Sequence, residues 1–352
     1  MRSLLAALLL LALLAHAAEP PATPSYPLWD GQESIEQYAK RAGVEPNKTL
    51  DLGNGVRLEM VLVPAGKFTM GTPEPESTWV GGSITLAGGL LLLALLAVPL
   101  VPAIRLYRRP RFTLRWLILF VVMAATAQYG GVRWWRASEA HQRIWRNETP
   151  AHEVTLTRPL YLGKYEVTQE QFQLVMGKTG APSGVLLRTL PACFYLGGPG
   201  EAEEFCKRVS QKMNVSLRLP TEAEWEYACR AGTTTRYCSG DLDEDLDRVG
   251  WYAGNSGGRL HAVGEMEPNA WGVYDMHGNV PEWCLDEPRC YKSEPVVDPC
   301  GPRDSRYKVL RNGGYGSSPK ECRSARRDVL FEWNRNAVPL SGFRVVLELG
   351  QP

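Results

Sequence analysis

Arg218-Leu219-Pro220-Thr221-Glu222-Ala223-Glu224-Trp225-Glu226-Tyr227 is the stretch that decides the fold. A helix opens after Pro220, with Thr221 as N-cap and Glu224 three residues on to complete a capping box. Trp225 and Cys229 then fall at i and i+4, on one face. Upstream, Glu201 to Met213 places Ala202, Phe205, Cys206 and Val209 at helical spacing. Elsewhere from Asn147 onward, aromatic residues, Gly and Pro punctuate the chain so densely that long helices are excluded. Before this region, Ile35 to Ala42 reads as a short helix with Glu33-Ser34 near its start. Val56 to Val63 alternates as a strand does, and the chain turns at 64–71. The pattern predicts a loop-rich globule and not a regular helical bundle.

The 352 residues carry a net charge of +1, with 34 Gly, 26 Pro, 11 Trp and 8 Cys. That balance excludes a disordered acidic or basic chain and gives no nucleic-acid footprint. The average conceals an uneven distribution. Residues 105–146 hold nine arginines against one acid, Glu139, so +8 lies there and the remainder carries −7. Leu4 to Ala15 is apolar after a basic start and precedes Ala15-His16-Ala17, which predicts a signal peptide over 1–17. Residues 18–50 read as a linker and N-terminal segment. Two further apolar runs, 83–104 and 116–132, flank 105–115, which holds five arginines and no acid. They predict a two-helix transmembrane hairpin within an insertion at 77–146, with its basic loop cytoplasmic and the main domain extracytoplasmic, periplasmic or extracellular.

Several phrases resemble one family. These are Phe68-Thr69-Met70-Gly71, Glu148-Thr149-Pro150-Ala151-His152-Glu153-Val154, Tyr165-Glu166-Val167-Thr168, the 218–227 stretch, Pro268-Asn269-Ala270-Trp271-Gly272-Val273-Tyr274-Asp275-Met276-His277-Gly278-Asn279-Val280, and Gly342-Phe343-Arg344. In order and spacing they are similar to the formylglycine-generating enzyme, or sulfatase-modifying factor, family. The resemblance implies a C-type-lectin-like α+β fold with little regular secondary structure, in one domain whose two parts, 51–76 and 147–348, flank the insertion at 77–146. It also implies oxidation of a Cys in a sulfatase Cys-x-Pro-x-Arg segment to formylglycine, using oxygen and copper(I) held by two cysteines. Soft thiolates suit a reduced copper ion.

The chain departs from that pattern where the chemistry lies. After Gly313-Gly314, Ser318 stands at about the first family cysteine and the second has no counterpart. Cys322 better matches a structural cysteine that the resemblance pairs with Cys229, with a displaced catalytic thiol as the other reading. Pro281 occupies the position of a pocket tryptophan. The resemblance further implies calcium held by Glu166, Asp275 and the carbonyls of Gly278 and Val280, a set of hard oxygen donors that suits this ion. Asn255 and Ser256 fit the start of a second calcium site whose remainder is missing. Cys206 matches a family cysteine whose partner is replaced by Val345, and pairing among Cys284, Cys290 and Cys300 stays open. No G-x-S-x-G elbow, P-loop or dinucleotide fingerprint is present, and no two histidines lie at i and i+4.

Two functions are therefore expected from different classes. One is a membrane-tethered, non-catalytic binding or accessory module, partnered by the membrane and by an exported protein or peptide such as a sulfatase. The alternative is a formylglycine-generating oxidase, for which copper would be required.

Overall fold

The computed structural model describes residues 26–73, 148–178, 180–181, 187–194, 198–301, 307–331 and 340–349. The first helix is α1 (Ile35–Ala42), where Ser34 and Gln37 form a capping box and Gly43 ends the helix in the left-handed region. Strands β1 (Asn47–Gly53), β2 (Val56–Val63) and β3 (Gly66–Met70) follow, then β4 (His152–Leu156) and β5 (Leu160–Gly163). Helices α2 (Gln169–Met176) and α3 (Gly198–Met213) precede β6 (Leu217–Arg218), α4 (Glu222–Arg230) and α5 (Asp243–Leu246). The chain closes through β7 (Glu282–Trp283), β8 (Val296–Val297), β9 (Tyr307–Arg311), β10 (Arg327–Phe331) and β11 (Val346–Glu348).

A five-stranded sheet runs β1-β2-β5-β11-β6, so the last strand is inserted between two much earlier ones. Two further sheets have three strands each, in the orders β10-β9-β7 and β3-β4-β8. Helix α4 has the predicted start: Thr221 accepts from the Glu224 amide, and the Glu224 carboxylate accepts from the Thr221 amide. All nine of its residues are buried, so this helix is the centre of the molecule and not a surface element.

Gly342-Phe343-Arg344 draws several elements together. Phe343 packs on Phe205 of α3 and Phe172 of α2, with centroids 5.5 and 6.3 Å away. Each such buried ring stabilises the fold by roughly 2–3 kcal/mol through apolar area removed from water. Arg344 is fully buried and bidentate to Glu282, at 2.6 Å on both oxygens. Glu282 also accepts from Trp225 Nε1 at 2.7 Å, which ties α4 to β7.

The expected transmembrane hairpin is corrected. Among the described residues, no helix is long and apolar enough to cross a membrane. The longest, α3, has 16 residues and carries Glu201, Glu203, Glu204, Lys207, Arg208 and Lys212, whereas a span needs about 20 mostly apolar residues. The segments read as spans, 83–104 and 116–132, with loop 105–115, lie outside the described residues, as does 1–17. Membrane localisation and the extracytoplasmic and cytoplasmic assignments rested on those spans and lose their structural basis with them.

What is described is how the two flanks of 74–147 meet. The Thr72 amide donates to the Glu148 carbonyl at 2.8 Å, and Thr72 Oγ1 donates to its carboxylate at 2.9 Å. Arg323 clamps the same carboxylate with two 2.8 Å hydrogen bonds. The β3-β4 pair is thus closed at its root. Replacing 74–147 by a short Gly/Ser linker is expected to leave the domain folded, with the same near-ultraviolet circular dichroism and a cooperative unfolding transition. Loss of that transition would show that the neck does not suffice.

Candidate functional site

The loop 275–280 and the turn 312–314 build one site. Asp275 and Asn279 take left-handed φ values of 59° and 58°, and Gly278 sits at 101°. At Gly278 a Cβ would fall 2.0 Å from the Trp251 carbonyl oxygen, so both conformation and space require glycine. Asn312, also left-handed, is the hub. Its Nδ2 donates to the carbonyls of Asp275 (3.1 Å), Gly278 (2.6 Å) and Val280 (3.2 Å). Its Oδ1 accepts from the amides of Gly278 and Gly313.

Against this loop lie two buried carboxylates. Asp275 Oδ2 accepts from the Gly264 amide at 2.7 Å, and Glu166 Oε2 accepts from Asn279 Nδ2 at 3.4 Å. The other oxygen of each, Glu166 Oε1 and Asp275 Oδ1, is buried with no hydrogen-bond partner. Burial pushes the Asp275 carboxyl up to about 6. Burial, then the neighbouring Asp275, holds Glu166 well above the usual carboxylate range. Orphaned acid oxygens in a dry site are costly unless a cation or proton satisfies them. The donor set therefore fits calcium: hard carboxylate oxygens, with Gly278 and Val280 carbonyls that retain a second lone pair beside the Asn312 bond.

The second expected site does not gather a comparable set. Asn255 Oδ1 accepts from the Tyr252 amide and its Nδ2 donates to the Gly250 carbonyl. Ser256 Oγ donates to the Tyr315 carbonyl at 2.7 Å, and the Ser256 carbonyl faces His261 Nε2 at 2.8 Å. Asn255 braces its own loop, Ser256 ties that loop to Tyr315, and His261 stacks on Trp251 at 3.6 Å.

The copper position is unsuited to copper. Ser318 is exposed, caps the 3₁₀ turn Pro319–Glu321, and its hydroxyl donates to Glu321 at 3.0 Å. Pro281 is buried beside Gly314, where a Cβ would meet Pro281 Cδ at 3.1 Å. Cys322 is buried under Gly313, whose Cβ would lie 2.6 Å from its Sγ, and burial pushes its thiol up to about 12. A hydroxyl and one protonated thiol do not make the pair of soft thiolates that copper(I) needs.

Cys229 and Cys322 are free, buried thiols. Asn312, Asn279 and His277 were not singled out by sequence reasoning. Asn279 sits inside a recognisable phrase, but nothing local marks Asn312 as the partner of a loop more than thirty residues earlier.

The α4-centred core, the three sheets and the carboxylate-lined loop define a mixed α+β class with few regular elements. Residues 200–349 match the sulfatase-modifying factor enzyme 1-like domain, and the chain carries a domain of this family. A formylglycine-generating enzyme from Streptomyces coelicolor is 39% identical over 126 residues, which cover 31% of this chain and 39% of that protein. The chaperone protein LppX of Paenibacillus barcinonensis is 28% identical over 218 residues, covering 47% of this chain and 72% of that one. The chain thus spans about two fifths of the Streptomyces enzyme it matches. The solved structure of Treponema denticola variable protein 1 superposes with a TM-score of 0.59 at 21% identity, over 86% of this chain and 99% of that one, a likeness of fold.

Proposed function

We propose that this chain is a non-catalytic binding or accessory module on the sulfatase-modifying factor scaffold, with calcium as a structural ion and a protein or peptide as ligand. The observation that carries the reading is the first cysteine position: Ser318 is exposed and hydrogen-bonded to Glu321, and the nearest thiol in sequence, Cys322, is buried. A scaffold keeps its folding motifs when its reactive groups are replaced, because those motifs serve packing. Here α4, Arg344 and the Asn312 hub are such motifs. By family analogy the ligand is a sulfatase segment around Cys-x-Pro-x-Arg, bound without being oxidised.

The test is co-expression with a Cys-x-Pro-x-Arg reporter, supplied with copper and oxygen, followed by intact-mass analysis. An unchanged reporter cysteine is expected. The mass loss of sulfur replaced by aldehyde oxygen would instead make the chain an oxidase and overturn the reading.

A further inference from the structure

One imidazole, His277, is met by the Cys229 sulfur, the Cys238 amide and the Cys322 carbonyl where the C-terminal end of α4 passes the turn at 237–240. Cys229 Sγ lies 3.6 Å from His277 Nε2, and the Cys238 amide donates to the same nitrogen at 3.0 Å. Because Nε2 accepts, the ring proton sits on Nδ1, where it is donated to the Cys322 carbonyl at 2.8 Å. Burial holds His277 down to about 4, so the ring is neutral.

The sulfurs are distributed unevenly about this ring. Cys229 belongs to the main core, whereas the Cys322 side chain packs in a separate cluster with Tyr237, Leu246 and Val249. Cys238 packs on the edge of that second cluster while its amide reaches the His277 nitrogen that faces Cys229, and it is the one partly exposed member of the three. Tyr237 and Gly240 exchange both backbone hydrogen bonds, so Cys238 and Ser239 form a two-residue tip. Proximity to Cys238 adds to the upward push that burial exerts on the Cys229 thiol. Among the described residues, no three His, Cys, Asp or Glu side chains are grouped so as to hold a metal.

We propose that Cys229 and Cys238 are a dithiol pair that closes to a disulfide when the protein meets a small-molecule disulfide, with Cys238 as the point of entry. The Cys238 thiolate attacks one sulfur of the small disulfide, forming a mixed disulfide and releasing one small thiolate. Cys229 sulfur then displaces the second small thiol from Cys238, and the Cys229 proton leaves with the released thiols. In total two protein thiols are oxidised and one disulfide is reduced to two thiols. Burial pushes Cys238 up to about 12, so the reaction is slow near neutrality and quickens about tenfold per pH unit. The product would tie the end of α4 to the 237–240 tip.

The experiment equilibrates the full chain with oxidised glutathione, blocks remaining thiols under denaturing conditions and maps tryptic peptides. Cleavage after Arg230, Arg236, Lys320 and Arg323 places Cys229, Cys238 and Cys322 in three different peptides. A cross-link between the first two, with loss of two alkylatable thiols, is expected; Cys322→Ala keeps the link and Cys238→Ser abolishes it. Full alkylation of both cysteines after equilibration, or a Cys229 to Cys322 link in their place, overturns the proposal. If Cys238→Ser does not fold, Cys322→Ala decides alone, by whether the link is formed.

Discussion

Arg344→Met lowers the free energy of unfolding by about 3–5 kcal/mol, because it leaves the Glu282 carboxylate buried without its counter-charge. Arg344 supplies both hydrogen bonds that Glu282 takes from a cation, and it also donates to the carbonyls of Gly163 and Tyr274 at 3.1 and 3.0 Å. One side chain, two residues before β11, therefore joins β5, β7 and the loop before Asp275. Methionine fills much of the same space, so the loss is electrostatic and not a cavity. A domain whose total stability lies between about 5 and 15 kcal/mol gives up a large share of it. Urea unfolding measures the effect; a shift under 1 kcal/mol would mean that Glu282 finds another partner or a proton at little cost. Combining Arg344→Met with Glu282→Gln should recover part of the loss, since the stranded charge is then gone.

The second large effect concerns calcium and pH together. Without a cation, the Asp275 carboxyl, raised to about 6 from 3.8, binds its proton more tightly in the folded chain than in the unfolded one. Its contribution to stability is complete below pH 3.8 and is lost as pH rises through about 6. The shift corresponds to about 3 kcal/mol, at 1.36 kcal/mol per pH unit. His277, lowered to about 4, gives a slope of opposite sign over much of the same interval, so the informative quantity is the difference between the parent and Asp275→Asn. In chelator, the parent should lose stability relative to Asp275→Asn between pH 4 and 7. Millimolar calcium should reverse that loss at pH 7 in the parent and leave Asp275→Asn unmoved. Thermal unfolding with and without calcium, at pH 5 and 7, provides the measurement. Equal calcium shifts in the two proteins would remove Asp275 from the site.

Local chemistry made some elements legible and left others hidden. Helix α4 announces itself through Thr221 and Glu224, and α1 and β2 through their periodicity, because each signal lies within one element. Helix α2 has an equally good box, Thr168 with Gln171, but Thr168 also closes the Tyr165-Glu166-Val167-Thr168 phrase and the helix beyond it has only two buried residues, Gln169 and Phe172, so its periodic signal is weak. The placement of β11 between β5 and β6 follows from pairing across more than a hundred residues, which no local pattern encodes. The candidate site divides in the same way. Glu166 and Asp275 came from resemblance, and the structure brings them together. Asn255 and Ser256 match by position, yet the Asn255 amide is taken up by its own loop and the Ser256 hydroxyl by the Tyr315 carbonyl. The apolar runs at 83–104 and 116–132 met the length criterion for a span, but they lie outside the described residues, whose helices do not include a span.

Asn312 has a consequence for the chemical lifetime of the protein. It is followed by Gly313, the neighbour that least hinders attack of a backbone nitrogen on an asparagine side chain. One hydrolysed amide at this position would turn a donor shared by three carbonyls into a carboxylate facing them. The loop that positions Asp275, Gly278 and Val280 would then be repelled by the group that now gathers it. Ageing of a single side chain, with no change in the gene, would dismantle the candidate calcium site.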